Sequence, residues 1–151
     1  MAAEYNLRSN FVFAPPEDNP AAWQASLDTF RDALERDFPG AFLEADTSTL
    51  RGFPVLDFEI EVAPDVYITG TSAMPTVDYA YISIIEATAD EAAAFAVWLR
   101  DSNVPSPASV RFMSSFVMEN GDEMSWCLPA TGDATDIAAV MREHLAAAGA
   151  E

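Results

Sequence analysis

Hydrophobic and polar positions alternate from Tyr5 to Phe13. Tyr5, Leu7, Phe11 and Phe13 fall on one face, and Asn6, Arg8 and Asn10 on the other. A period of two predicts a half-buried strand, and Pro15-Pro16 ends it. The period then lengthens. Trp23, Leu27, Phe30, Leu34 and Phe38 recur at spacings of four, three, four and four, one stripe of a helix entered at Asn19-Pro20 and left at Pro39-Gly40. Phe42-Leu43 suits a short strand. Leu56, Phe58, Ile60 and Val62 alternate with Asp57, Glu59 and Glu61, which predicts a strand with one apolar and one acidic face. Ala63-Pro64-Asp65 turns it back on Val66–Thr71 as a hairpin. Val77–Ile85 is apolar at odd and even positions alike, as a strand covered on both faces requires.

Thr88-Ala89-Asp90-Glu91 has the spacing of a capping box, and it opens a helix through Phe95, Trp98 and Leu99 to about Asp101. Ala108–Met118 reads as a strand. Asn120-Gly121 is a hairpin turn, since a type I′ turn needs positive φ at both central residues. Met124, Trp126 and Leu128 alternate on the return strand. Asp133 caps a last helix carrying Ile137, Val140, Met141 and Leu145. The fold class is therefore α+β: an antiparallel sheet with helices packed on one face. Residues 5–71 and 77–128 share a strand-helix-strand-strand plan, and a C-terminal helix follows. This element order is similar to the duplicated strand-helix-strand-strand modules of GyrI-like ligand-binding domains. The resemblance implies a pseudo-two-fold sheet. It is one of element order and transfers no residue.

Composition narrows what such a fold can do. A chain of 151 residues fits one domain over 1–151. It carries 25 acids against seven bases, every base is arginine, and the net charge is −18. Nucleic-acid binding needs a basic patch to displace counterions from phosphates, and a grip on anionic lipid needs the same. Scattered arginines in an acidic field supply neither. One histidine and one cysteine exclude the usual zinc sets and an internal disulfide. No apolar run approaches a membrane span and no basic, apolar leader opens the chain, so the expectation is cytoplasmic. Six scattered glycines build no phosphate loop, and no nucleophile elbow or metalloprotease motif is present. No cofactor and no metal are expected.

Few side chains are candidates for chemistry. His144 is the one group whose ordinary pKa lies near neutrality. It flanks the stripe of the last helix in its final turn, where a structural role is the plainer reading. A Cys127–His144 nucleophile–base pair needs the fold to bring them together, and Cys127 alternates out of phase with Trp126. Ser114-Ser115 sits mid-strand with no base nearby in sequence. Arg8 and Arg111 fall in phase with polar strand positions. Each is expected to pair with an acid, the alternative being to anchor a ligand.

Two function classes follow. In the first, Asp57, Glu59 and Glu61, with Asp65 past the turn, form an acidic strand face. On an edge strand such charges discourage pairing with other chains. Turned to a partner, they steer a basic protein. The chain is then a non-enzymatic acidic protein-binding module of the immunity or inhibitor kind. In the second, a small-ligand-binding or enzymatic domain has a pocket between sheet and helices lined by Tyr79, Tyr81, Phe112 and Trp126, with Arg111 beside it. A homodimer that covers an unpaired strand or apolar helix face is a third reading.

Overall fold

A computed structural model describes residues 8–24, 26–46, 54–76, 79–102, 104–106, 108–119 and 125–147. Its seven strands are β1 (Ser9–Ala14), β2 (Phe42–Asp46), β3 (Val55–Ala63), β4 (Val66–Thr76), β5 (Tyr79–Ala87), β6 (Arg111–Ser114) and β7 (Trp126–Cys127). They form one sheet in the order β2-β3-β4-β5-β1-β6-β7, and every neighbouring pair is antiparallel. The helices are α1 (Leu27–Asp37), α2 (Ala89–Ser102), α3 (Ser115–Glu119) and α4 (Ala134–Ala147). The α+β class with its C-terminal helix follows directly from this order.

Strand parity decides which face carries the core. Phe11 and Phe13 of β1, Leu56, Phe58 and Ile60 of β3, and Ala80, Ile82 and Ile84 of β5 are all buried. α1, α2 and α4 cover that face. A run of rings joins the layers: Phe13 to Phe95 at 5.6 Å, Phe95 stacked on Phe58 at 5.8 Å, and Phe58 edge-on to Phe30 at 5.7 Å between centroids. Such offset and edge contacts add to what area burial alone provides. Gly70 of β4 lies under the Phe58 ring, where an added Cβ would meet Phe58 Cζ at 2.6 Å. Only glycine lets the ring sit flat against the sheet there.

Local signals set two helix starts. Glu91 N–H donates to Thr88 Oγ1 while Thr88 N–H donates to Glu91 Oε1, the reciprocal capping box read from the spacing. Asp136 N–H donates to Asp133 Oδ1 and Asp133 N–H to Asp136 Oδ2, so Asp133 caps α4. α1 differs from its prediction. It begins at Leu27, with Ser26 as its cap, rather than at Pro20. Residues 20–23 form turns, and Gln24 has φ +50°. Trp23 leaves the helical stripe and donates from Nε1 to the buried Ser109 carbonyl at 2.7 Å. That anchor outweighs the periodicity.

The strand predicted over Ala108–Met118 also stops early. β6 ends at Ser114, and α3 takes over. Serine hydroxyls drive the switch: Val117 N–H donates to Ser114 Oγ and Phe116 N–H to Ser9 Oγ. Such bonds compete with a strand ladder. The Asn120-Gly121 turn and Met124 lie outside the described residues, as do Tyr5, Leu7 and Val77.

β3 is not an edge strand, because β2 pairs along it from Phe42↔Glu59 to Asp46↔Val55. The two halves share only a strand-helix-strand opening: β2, β3 and β4 follow α1, whereas β6, α3 and β7 follow α2, and the placement differs too. The last strand of the first half, β4, lies beside β5, whereas the first strand after the second helix, β6, lies beside β1.

Candidate functional site: the open face of the sheet

On the face of the sheet away from α1, α2 and α4, Val55 and Ala73 are buried, and the two ends differ in chemistry. At the β2–β3–β4 end, the odd positions of β3 point outward. Asp57 Oδ1 accepts from Thr71 Oγ1 at 2.7 Å, and Glu59 Oε2 from Thr69 Oγ1 at 3.3 Å. Glu61 Oε2 accepts from the Asp65 N–H at 2.9 Å, which holds the turn where Asp65 has φ +60°. Sequence periodicity already placed Asp57, Glu59 and Glu61 on one strand face, with Asp65 just past the turn. Register adds three residues that it missed. Glu44 lies opposite Asp57 and Phe42 opposite Glu59 on β2, and Tyr67 lies opposite Glu61 on β4. Phe42 is 56% exposed and Tyr67 58%. The result is an acidic surface studded with two large aromatic rings.

Among the described residues, the arginines that pair with acids do so elsewhere. Arg8 pairs with Glu91, Arg31 with Glu35, Arg36 with Asp37, Arg100 with Asp101 and Arg142 with Asp90. Among the described residues, Glu44, Glu59 and Glu61 enter no ion pair. No three His, Cys, Asp or Glu side chains converge as metal ligands would, again among the described residues. Carboxylates two apart on one strand stand about 7 Å from each other, so the row presents a line of charge rather than a cage.

At the β5–β1–β6–β7 end, Tyr79 and Tyr81 face outward with ring centroids 6.4 Å apart. Burial, and then the neighbouring Tyr81, pushes the Tyr79 phenol above its ordinary pKa, so it keeps its proton. Val12 pairs with Met113, and Ala14 with Arg111. A groove of about 340 Å³ opens here, walled by Val12, Pro15, Pro16, Tyr79, Arg111 and Met113. Arg8 pairs with an acid as predicted. Arg111 does not. Its Nε donates to Ser125 Oγ, its Nη2 to the Ser125 carbonyl and its Nη1 to Cys127 Sγ at 2.9 Å.

The predicted pocket between sheet and helices is therefore divided. Tyr79, Tyr81 and Arg111 stand on the open face. Phe112 and Trp126 stand on the helix face, where both rings pack edge-on against His144 at 4.9 Å. Neighbouring strands share a face by register, and register cannot be read from the period of either strand alone. The cavity found between the sheet and α1 measures about 30 Å³, room for about one or two waters.

His144 is fully buried, and its Nε2 lies 2.9 Å from Ser114 Oγ. This serine–histidine pair sits beneath α4, closed to solvent, and serves packing and the cap of α3. Cys127 is exposed on the opposite face, so the Cys127–His144 pair does not form. Among the described residues no helix is long and apolar enough to cross a membrane. Comparison with protein-family models, curated proteins and solved structures finds no match.

Proposed function

We propose that the chain is a non-enzymatic protein-binding module whose acidic end of the open face docks a basic protein. One observation carries the reading: Glu44, Asp57, Glu59 and Glu61 share one face of the sheet with the exposed rings of Phe42 and Tyr67. Aromatic anchors supply most of the binding energy in protein interfaces. Flanking charge supplies orientation and on-rate. The threonine hydroxyls on Asp57 and Glu59 fix those carboxylates in place.

In-cell photo-crosslinking tests it. A benzophenone side chain at position 59 should trap one dominant basic protein. The same group at position 35, on the exposed side of α1, should not. Glu44→Gln, Glu59→Gln and Glu61→Gln together should slow association with the trapped protein and flatten its salt dependence. Identical adducts from both positions, or an on-rate indifferent to the triple neutralisation, would remove the proposal.

A further inference from the structure

The opposite end of the same face supports a separate inference, independent of the protein-docking reading. We propose that the groove beside Arg111 binds a small apolar molecule through a single carboxylate group held by the Arg111 guanidinium.

The first support is the state of that arginine. The chain has 25 acids to seven bases, so an arginine without a carboxylate is an anomaly. Arg8, Arg31, Arg36, Arg100 and Arg142 each hold one. Among the described residues Arg111 is bonded to other acceptors instead: the Ser125 hydroxyl, the Ser125 carbonyl and Cys127 Sγ. A guanidinium has five N–H donors in a rigid fork. Three are engaged, which holds the plane still, and two remain to be offered to a ligand. Glu17 lines the same groove and does not take them.

The second support is the cavity. About 340 Å³ falls within the range of small-molecule pockets, which combine mostly apolar walls with a few placed polar groups. Val12, Met113 and the Pro15-Pro16 corner are such walls. Proline fixes φ and offers no N–H, so that wall is stiff and its backbone demands fewer partners. Tyr79 adds a ring and a protonated hydroxyl.

Charge then selects the ligand. Glu17 at the groove and the net charge of −18 repel a second negative charge. A monocarboxylate matched to a planar fork is favoured over a phosphate dianion, and an apolar body over a polar one.

The test uses phenylacetate as probe, phenylacetamide as its neutral isostere and phenyl phosphate as the dianion, on full-length protein carrying 13C-methyl methionine. Phenylacetate should shift the Met113 methyl and leave the buried Met141 methyl of α4 unmoved. Phenylacetamide should bind about tenfold more weakly or worse, since a charge-assisted hydrogen bond is worth at least that factor. Phenyl phosphate should be weaker than phenylacetate. Arg111→Met should erase the preference for acid over amide. Because Arg111 also tethers β7, Val12→Trp provides a second arm: it fills the groove from the open face, and should abolish binding with little change in melting temperature. The proposal is overturned if Met113 responds to none of the probes, if acid and amide bind alike, or if Val12→Trp binds as the parent does.

Discussion

The two faces of this sheet use the same residue types for opposite ends, and two arginines make the contrast plain. Arg100, on α2, is 4% exposed. Its Nε and Nη2 hold Asp101, while Nη1 and Nη2 reach the carbonyls of Pro129 and Gly132. Four of that fork's five N–H groups are engaged, and it ties the end of α2 to the loop that leads into α4. Arg111, on the open face, is held by a hydroxyl, a carbonyl and a sulfur and keeps donors to spare. The same division separates the aromatics. Phe58 and Phe95 lock the helix layer to the sheet, whereas Phe42 and Tyr67 rest on water. One face spends its chemistry on holding the fold. The other keeps its chemistry available.

That contrast should be visible in unfolding energies, and the largest effect belongs to the covered face. Phe95→Ala removes a ring that touches Phe13, Phe58 and Trp98, and should cost about 3–5 kcal/mol in urea unfolding. Phe42→Ala on the open face should cost less than about 0.5 kcal/mol. Similar losses from the two would break the comparison. Arg100→Met removes a buried fork and its bonds to Asp101 and to the Pro129 and Gly132 carbonyls, and should cost about 1–3 kcal/mol. Arg111→Met frees acceptors that water can reach, so its cost should be smaller. Gly70→Ala pushes the Phe58 ring off the sheet and should cost about 1–3 kcal/mol, read by the same unfolding curves. Glu59→Gln with Glu61→Gln should change stability by no more than about 0.5 kcal/mol, and relief of like charge should make any change favourable at low salt.

The smallest effect is electrostatic and lies at the rim of the covered face. The Arg36 guanidinium, and then the Trp98 indole N–H at 2.7 Å, hold the Asp37 carboxyl down to about 2 from an ordinary 3.8. A depressed folded pKa contributes stability that is present above the unfolded value and is lost as pH falls through the folded one. Carbon-detected NMR should therefore find Asp37 still charged where most carboxylates have titrated. Trp98→Phe should raise its midpoint only part of the way, because Arg36 remains. A midpoint unchanged by Trp98→Phe would show that the indole bond does not reach the carboxylate in solution.

Much of the fold is local and could be read along the chain. The Thr88–Glu91 box, the Asp133 cap and the acidic side of β3 each depend on residues within a few positions of one another. What could not be read depends on distant partners. α1 lost its first turns to the bond between Trp23 and Ser109, 86 residues apart in sequence. The end of β6 was set by Ser9 and Ser114 together. The aromatic residues proposed for one pocket were split because odd positions of β5 and β6 face out while Phe112 and Trp126 face in. Half of the site was legible for the same reason. The acids of β3 alternate, but Glu44 joins them only through cross-strand register, and nothing in the run around Arg111 tells that no acid meets it.

The place of β1 in the sheet has a consequence in time. β1 precedes every other strand described here, yet Phe13 pairs with Ile82 on one side and Phe112 on the other. While the ribosome extends the chain, β2, β3, β4 and β5 can zip as a meander with nearest neighbours. β1 must wait for β5 to fill one flank and for β6 to fill the other. Closing such distant pairings carries a loop-entropy cost before any contact repays it. The middle of the sheet is thus completed late, and a chain stalled before β6 would hold Phe11 and Phe13 with one flank unfilled.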